Sequence, residues 1–215
     1  MPHLFDSPRE LFRTVPATLA LIALSVIGFL LIYLRAPVEL LSQLTYSDFR
    51  FERGEVQFVP TSGEYWRFLT PIFLHFSWLH ITFNSLWLWE LGALIERRLG
   101  TTMLLPLVLV SGVFSNIAQH LFGGPSLFGG MSGVVYALLG FCWAYNALLP
   151  GTGLYVPRPI IVIMLGWLAF CFLAPTELLG LGSIANAAHL AGLLVGCGSG
   201  AAIALWFRYE RGVRP

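Results

Sequence analysis

Apolar residues run along this chain in six long stretches, separated by short polar or glycine-rich breaks and by one long mixed segment. The stretches fall at about 15–34, 78–97, 102–121, 132–149, 159–175 and 185–207. Each is near the roughly 20 residues that an α-helix needs to cross about 30 Å of hydrocarbon. The pattern predicts an all-α, polytopic membrane protein built from six transmembrane helices. The second stretch reads as the least apolar, because it carries His80, Asn84 and Glu90. The fifth is short and ends near Pro175. Residues 35–77 mix Tyr46, Phe49, Phe51, Phe58, Tyr65, Trp66 and Phe68 with charges. Such a segment suits the headgroup layer, where amphipathic rings sit well, and equally suits an ordinary folded extramembrane loop. No internal repeat is present.

Composition agrees with the pattern. The chain is 57% hydrophobic and 11% charged, with mean hydropathy +0.77. A soluble domain carries about a quarter charged residues, so this chain lacks the polar surface to face water all round. At 215 residues it is one domain by length: a short segment 1–14, a six-span body 15–207 and a tail 208–215. A net charge of +1 gives no reason to expect nucleic acid or another polyanion as partner. The lipid bilayer is the expected surrounding.

Every basic residue is arginine, and an even number of spans puts both termini on one side. That side holds Arg9, Arg13, Arg97, Arg98, Arg158, Arg208, Arg211 and Arg214. The other holds Arg35, Arg50, Arg53 and Arg67, all in the long loop, where charge counts for less. Both termini are therefore expected in the cytoplasm, with Ser132 opening a span at its non-cytoplasmic end. Asp6 and Glu10 alternate with Arg9 and Arg13 ahead of the first stretch, which does not read as a cleaved signal. Cys142, Cys171 and Cys197 lie in apolar stretches without CxxC spacing and read as packing residues. His75, His80 and His189 have no carboxylate or cysteine at ligand spacing, so neither a metal nor a cofactor is expected.

The polar residues inside the apolar stretches are the candidates for chemistry, because hydrocarbon penalises them heavily. Gly129-Gly130-Met131-Ser132-Gly133 leads straight into Val134, Val135, Ala137 and Leu138. The glycines and Pro125 break the preceding backbone, so a helix is expected to start at Ser132. Its first turn offers unpaired N–H groups and the positive end of the dipole, a ready oxyanion site beside a hydroxyl. A serine there is also an ordinary N-cap. His189 stands among small residues, one turn before Gly192-x-x-x-Gly196-x-x-x-Gly200, a stripe that lets another helix approach closely. It can be a base for Ser132 or a histidine bonded to a nearby carbonyl. His80 and Asn84 are four apart and share a helix face, either as oxyanion donors or as polar contacts between helices. Gln119 and His120 can wet the same cavity or cap the third span, and Glu90 has no assigned role. No carboxylate accompanies Ser132 and His189 in the last four spans apart from Glu177 in a loop, which points to a Ser–His dyad.

In this order the motifs resemble the rhomboid intramembrane serine proteases, specifically the compact bacterial six-span type. The likeness covers about 65–207. It rests on Tyr65-Trp66-Arg67, on His75-Phe76-Ser77 with His80 and Asn84, and on Glu96-Arg97-Arg98-Leu99-Gly100. Gly130-Met131-Ser132-Gly133 and the run Ala185 to Gly192 with Gly196 complete the set. The resemblance implies a serine endopeptidase that cuts single-pass transmembrane proteins within or near the bilayer, in a bacterial inner membrane. It makes Ser132 the nucleophile and His189 the general base. His80, Asn84 and the backbone N–H groups of Ser132 and Met131 would hold the oxyanion. Tyr136 would stack on the histidine, and Arg67 and Glu96 would be structural. The resemblance also implies that the fifth span gates the approach of substrate. Better-known bacterial members carry a soluble cytoplasmic domain ahead of the first span, where about 14 residues stand here. The alternative is a non-catalytic rhomboid-like protein that binds membrane clients, a class that typically lacks the serine or the histidine.

Overall fold

A computed structural model describes residues 8–59, 62–173 and 184–210. The expected end of the fifth span near Pro175, Glu177, and the arginines at 211 and 214 lie outside the described residues. The chain folds as a helical bundle. After a short helix α1 (Pro8–Thr14), the first span is α2 (Pro16–Tyr33). The second is one continuous helical run: α4 (Trp78–Trp87), a π-helical segment Leu88–Gly92 and α5 (Ala93–Leu99). The rest are α6 (Thr101–Gly123), α7 (Ser132–Leu148), α8 (Arg158–Leu173) and α9 (Asn186–Glu210). Helices α2, α6 and α9 are long and apolar enough to cross a membrane, while α7 and α8 are shorter apolar helices.

Helix α7 runs through the centre of the bundle. From Gly133 to Cys142 every residue is buried, so this part of the helix is covered on every side, as a stretch apolar all round should be. Two buried ionic groups hold the periphery. Glu96 accepts the N–H groups of Ala17 and Thr18 and the hydroxyls of Thr18 and Thr101. It thereby caps the N-terminus of α2, which has no side-chain cap of its own. Arg67, 2% exposed, donates to the carbonyls of Ser42 and Thr45 and pairs with Glu64 at 3.1 Å. Trp66 Nε1 adds a bond to the Gln43 carbonyl. This knot fastens the first loop to the bundle.

That loop is folded, with secondary structure that its mixed composition does not announce. It holds a short helix α3 (Val38–Leu44) and an antiparallel hairpin, β1 (Asp48–Glu52) with β2 (Glu55–Val59). Two 3₁₀ turns follow, Tyr65–Phe68 and Thr70–Phe73. The hairpin signal was present in Asp48-Phe49-Arg50-Phe51-Glu52, which alternates polar and aromatic residues before Arg53-Gly54. Both turn residues have positive φ, 53° and 85°, which is the backbone that a two-residue hairpin requires.

Candidate active site

The loop before α7 is shaped by close contact. Gly130 has φ 110°, and a Cβ there would overlap the His80 ring. A Cβ on Gly129 would press on the carbonyls of Pro71 and Leu74, at 2.8 and 2.9 Å. Gly130 N–H donates to the Pro71 carbonyl at 3.0 Å. Glycine is needed at 130 for both its conformation and its bareness. The chain then turns into α7, and Ser132 is the first helical residue.

From the other side α9 lies against α7 with no side chain between the backbones. A Cβ on Gly192 would overlap the carbonyl oxygen of Gly133, and one on Gly196 that of Ala137. Gly200 faces the Phe141 carbonyl, and on α7 Gly140 faces the carbonyl of Leu193. Gly133 in turn leaves room for Ser115. This seam delivers His189, which is 5% exposed, to the mouth of α7. His189 Nε2 lies 2.8 Å from Ser132 Oγ. The Tyr136 ring sits 5.1 Å from the imidazole, centroid to centroid, and its hydroxyl donates to the Met164 carbonyl of α8. His189 Nδ1 has no hydrogen-bond partner among the described residues. The imidazole is thus positioned by packing and by the Ser132 contact.

The remaining expected residues divide. His80 stands over Gly130, two residues before the serine, on a helix whose N-cap Ser77 accepts the His80 N–H. Asn84 is buried, and its amide donates to the His80 carbonyl at 2.8 Å, leaving one amide N–H for another acceptor. Met131 N–H is turned toward His75 Nε2 at 3.4 Å, so of the two expected backbone donors only that of Ser132 has no such engagement. His120 stacks on Tyr46 at 4.6 Å, beside Phe128, away from any expected role. Burial raises the Tyr46 phenol above its ordinary range.

His75, which the sequence offers only as part of a motif, also builds the site. It is fully buried, accepts from Met131 through Nε2, places Nδ1 3.0 Å from the Phe73 carbonyl, and packs on His80 at 4.8 Å. The signal was a histidine between Leu74 and Phe76, where no solvent could serve it. Gln119 also bears on the site: its side-chain oxygen accepts the Ala188 N–H, next to His189. Among the described residues no group of three His, Cys, Asp or Glu could hold a metal ion.

Comparison with known proteins identifies the family. A family model described as the Rhomboid domain matches residues 62–206. The rhomboid protease GlpG of Serratia proteamaculans is 42% identical over 184 residues, covering 84% of this chain and 60% of that protein. Rhomboid proteases GlpG of Yersinia pestis and Yersinia pseudotuberculosis are each 40% identical over the same shares. The chain therefore spans about 60% of the length of the curated relatives it matches. On the matched domain and on this identity, the chain belongs to the rhomboid family.

Proposed function

We propose that this protein is an intramembrane serine endopeptidase that hydrolyses peptide bonds of single-pass transmembrane proteins within or near the bilayer. The observation that carries this reading is the 2.8 Å contact between Ser132 Oγ and His189 Nε2, at the start of a helix whose first turns, from Gly133 on, are fully buried. Neutral His189 takes the Ser132 proton through Nε2 as Oγ attacks the substrate carbonyl carbon. Negative charge gathers on the carbonyl oxygen, near the Ser132 N–H, the His80 ring and the free amide N–H of Asn84. The tetrahedral intermediate collapses as His189 returns the proton to the leaving amine. An acyl-serine remains, and a water activated by the same imidazole hydrolyses it. Among the described residues no carboxylate meets Nδ1, and the Tyr136 ring and the α7–α9 seam do the orienting that a third residue does in a soluble triad.

The arginine asymmetry supports cytoplasmic termini and a site near the opposite face. The bacterial relatives support a bacterial inner membrane as its location. A fluorophosphonate probe on the solubilised protein tests the chemistry: it should label wild type and spare Ser132→Ala. Equal labelling of both would sink the assignment.

A further inference from the structure

Glu90 is a carboxylate near the middle of a 22-residue helical run. It lies 12 residues past Trp78 and nine before Leu99, which places it about 18 and 14 Å along the axis from the two ends. Among the described residues it has no hydrogen-bond or ion-pair partner. Ile81, Asn84, Leu88, Leu91 and Gly92 turn into the bundle, whereas Phe83 and Leu86 are 54% and 46% exposed. Glu90, itself half-buried, follows Phe83 by seven and Leu86 by four and lies at the edge of this outward stripe. Its five-residue segment is π-helical, a local distortion that recurs at functional positions.

An ionisable group at this depth is expensive and calls for a partner. The partner's chemistry follows from charge: a lysine or arginine side chain. Its carrier must also be a membrane helix, because nothing else presents a side chain at mid-bilayer. The stripe begins beside the site. His80, half-buried against Gly130, precedes Phe83 by three residues on the same helix. A helix lying along it with its reactive bond near His80 would meet Glu90 about ten residues, or ~15 Å, deeper.

We propose that Glu90 is a specificity-determining residue that selects client transmembrane segments bearing a lysine or arginine about ten residues from the scissile bond, on the side of α5. This rests on the protease reading above. A lone base in a client helix is itself costly in hydrocarbon, so the pairing relieves two charges at once.

The test uses the full chain in proteoliposomes with one reporter transmembrane substrate. Residues seven to thirteen from its scissile bond are replaced one at a time by Lys, Leu or Glu. Wild type should cleave the best-placed Lys substrate at least about tenfold better than its Leu counterpart in kcat/KM, mostly through KM, a difference equal to ~1.4 kcal/mol. Glu90→Leu should collapse that ratio toward one, and Glu90→Lys should reverse the preference toward the Glu substrate. If the Lys-to-Leu ratio is the same in wild type and Glu90→Leu at every depth, the proposal is overturned. It is equally overturned if Glu90→Lys still favours Lys. The two readings fail separately. Cleavage or labelling that survives Ser132→Ala refutes the protease assignment, whereas Ser132-dependent cleavage blind to the substrate charge refutes only the role of Glu90.

Discussion

Helices α7 and α9 meet backbone to backbone, whereas α8 leans on the bundle through side chains. Along the α7–α9 seam every added methyl at 192, 196 or 200 would run into a carbonyl oxygen. On α8, Gly166 has nothing within 4 Å of where a Cβ would sit. Met164, Leu168 and Cys171 are its buried residues, while Val162, Ile163 and Leu173 are 68%, 61% and 86% exposed. Hydrogen bonds from Tyr136 to the Met164 carbonyl and from Asn186 to that of Cys171 tie it to α7 and α9. The contrast shows how the molecule divides its tasks. Two residues on different helices can be held at hydrogen-bond distance only where the helices have no room to slide. A flank held through side chains keeps room to shift. Low local packing also marks the parts of a protein that open first.

The largest expected effect lies in the seam's chemistry. Ser132→Ala should remove cleavage, by about 10⁴-fold or more given what such nucleophiles contribute in soluble proteases. Thermal stability should change by only about 1 kcal/mol, the worth of the hydrogen bond to His189 that is lost. Cleavage within tenfold of wild type would mean that the hydroxyl is not the nucleophile.

The seam itself comes next. Gly196→Leu must drive α9 away from Ala137, and a misplacement of ~1 Å can cost about 10²-fold in rate. Both activity and melting temperature should fall, with Gly166→Leu on α8 as the tolerant counterpart. A Gly196→Leu protein that melts and cleaves like wild type would show the seam to be dispensable.

Acid should weaken the dyad without touching α8. Only neutral His189 can accept the serine proton, so cleavage should drop about tenfold per pH unit below the imidazole transition. A rate unchanged from pH 9 to pH 4 in folded protein would remove His189 as the base.

The smallest effect should come from the tie to α8. Tyr136→Phe keeps the ring beside His189 and deletes only the bond to Met164, worth about 1 kcal/mol. Hydrogen exchange should quicken along α8 and stay unchanged along α7 and α9. Equal quickening in all three would mean that α8 is an integral part of the rigid unit.

Much of this was legible in the residue order because the bilayer simplifies the problem. Hydrocarbon leaves a spanning segment no alternative to the helix, so the apolar stretches predict spans within a few residues of α2, α6, α7 and α9. Polar residues stand out against them, which is how Ser132, His189, His80 and Asn84 became candidates. The small-residue stripe at 192, 196 and 200 announced a close approach, and the helix opening at Ser132 was the partner that would let hydroxyl and imidazole meet, as the seam does.

Other features depended on contacts that no local pattern encodes. The carboxylate of Glu96 caps α2 from 78 residues away. His75 Nε2 faces the N–H of Met131, 56 residues on, at 3.4 Å. The hairpin at Asp48–Val59 was masked by the loop's mixed composition, even though its turn residues were in plain view. Most of all, the 2.8 Å between Ser132 and His189 exists because glycine backbones on α7 and α9 touch. Sequence names the residues able to allow that approach; only the packed bundle decides that they face each other, because the distance is set by three-dimensional contact and not by spacing along the chain.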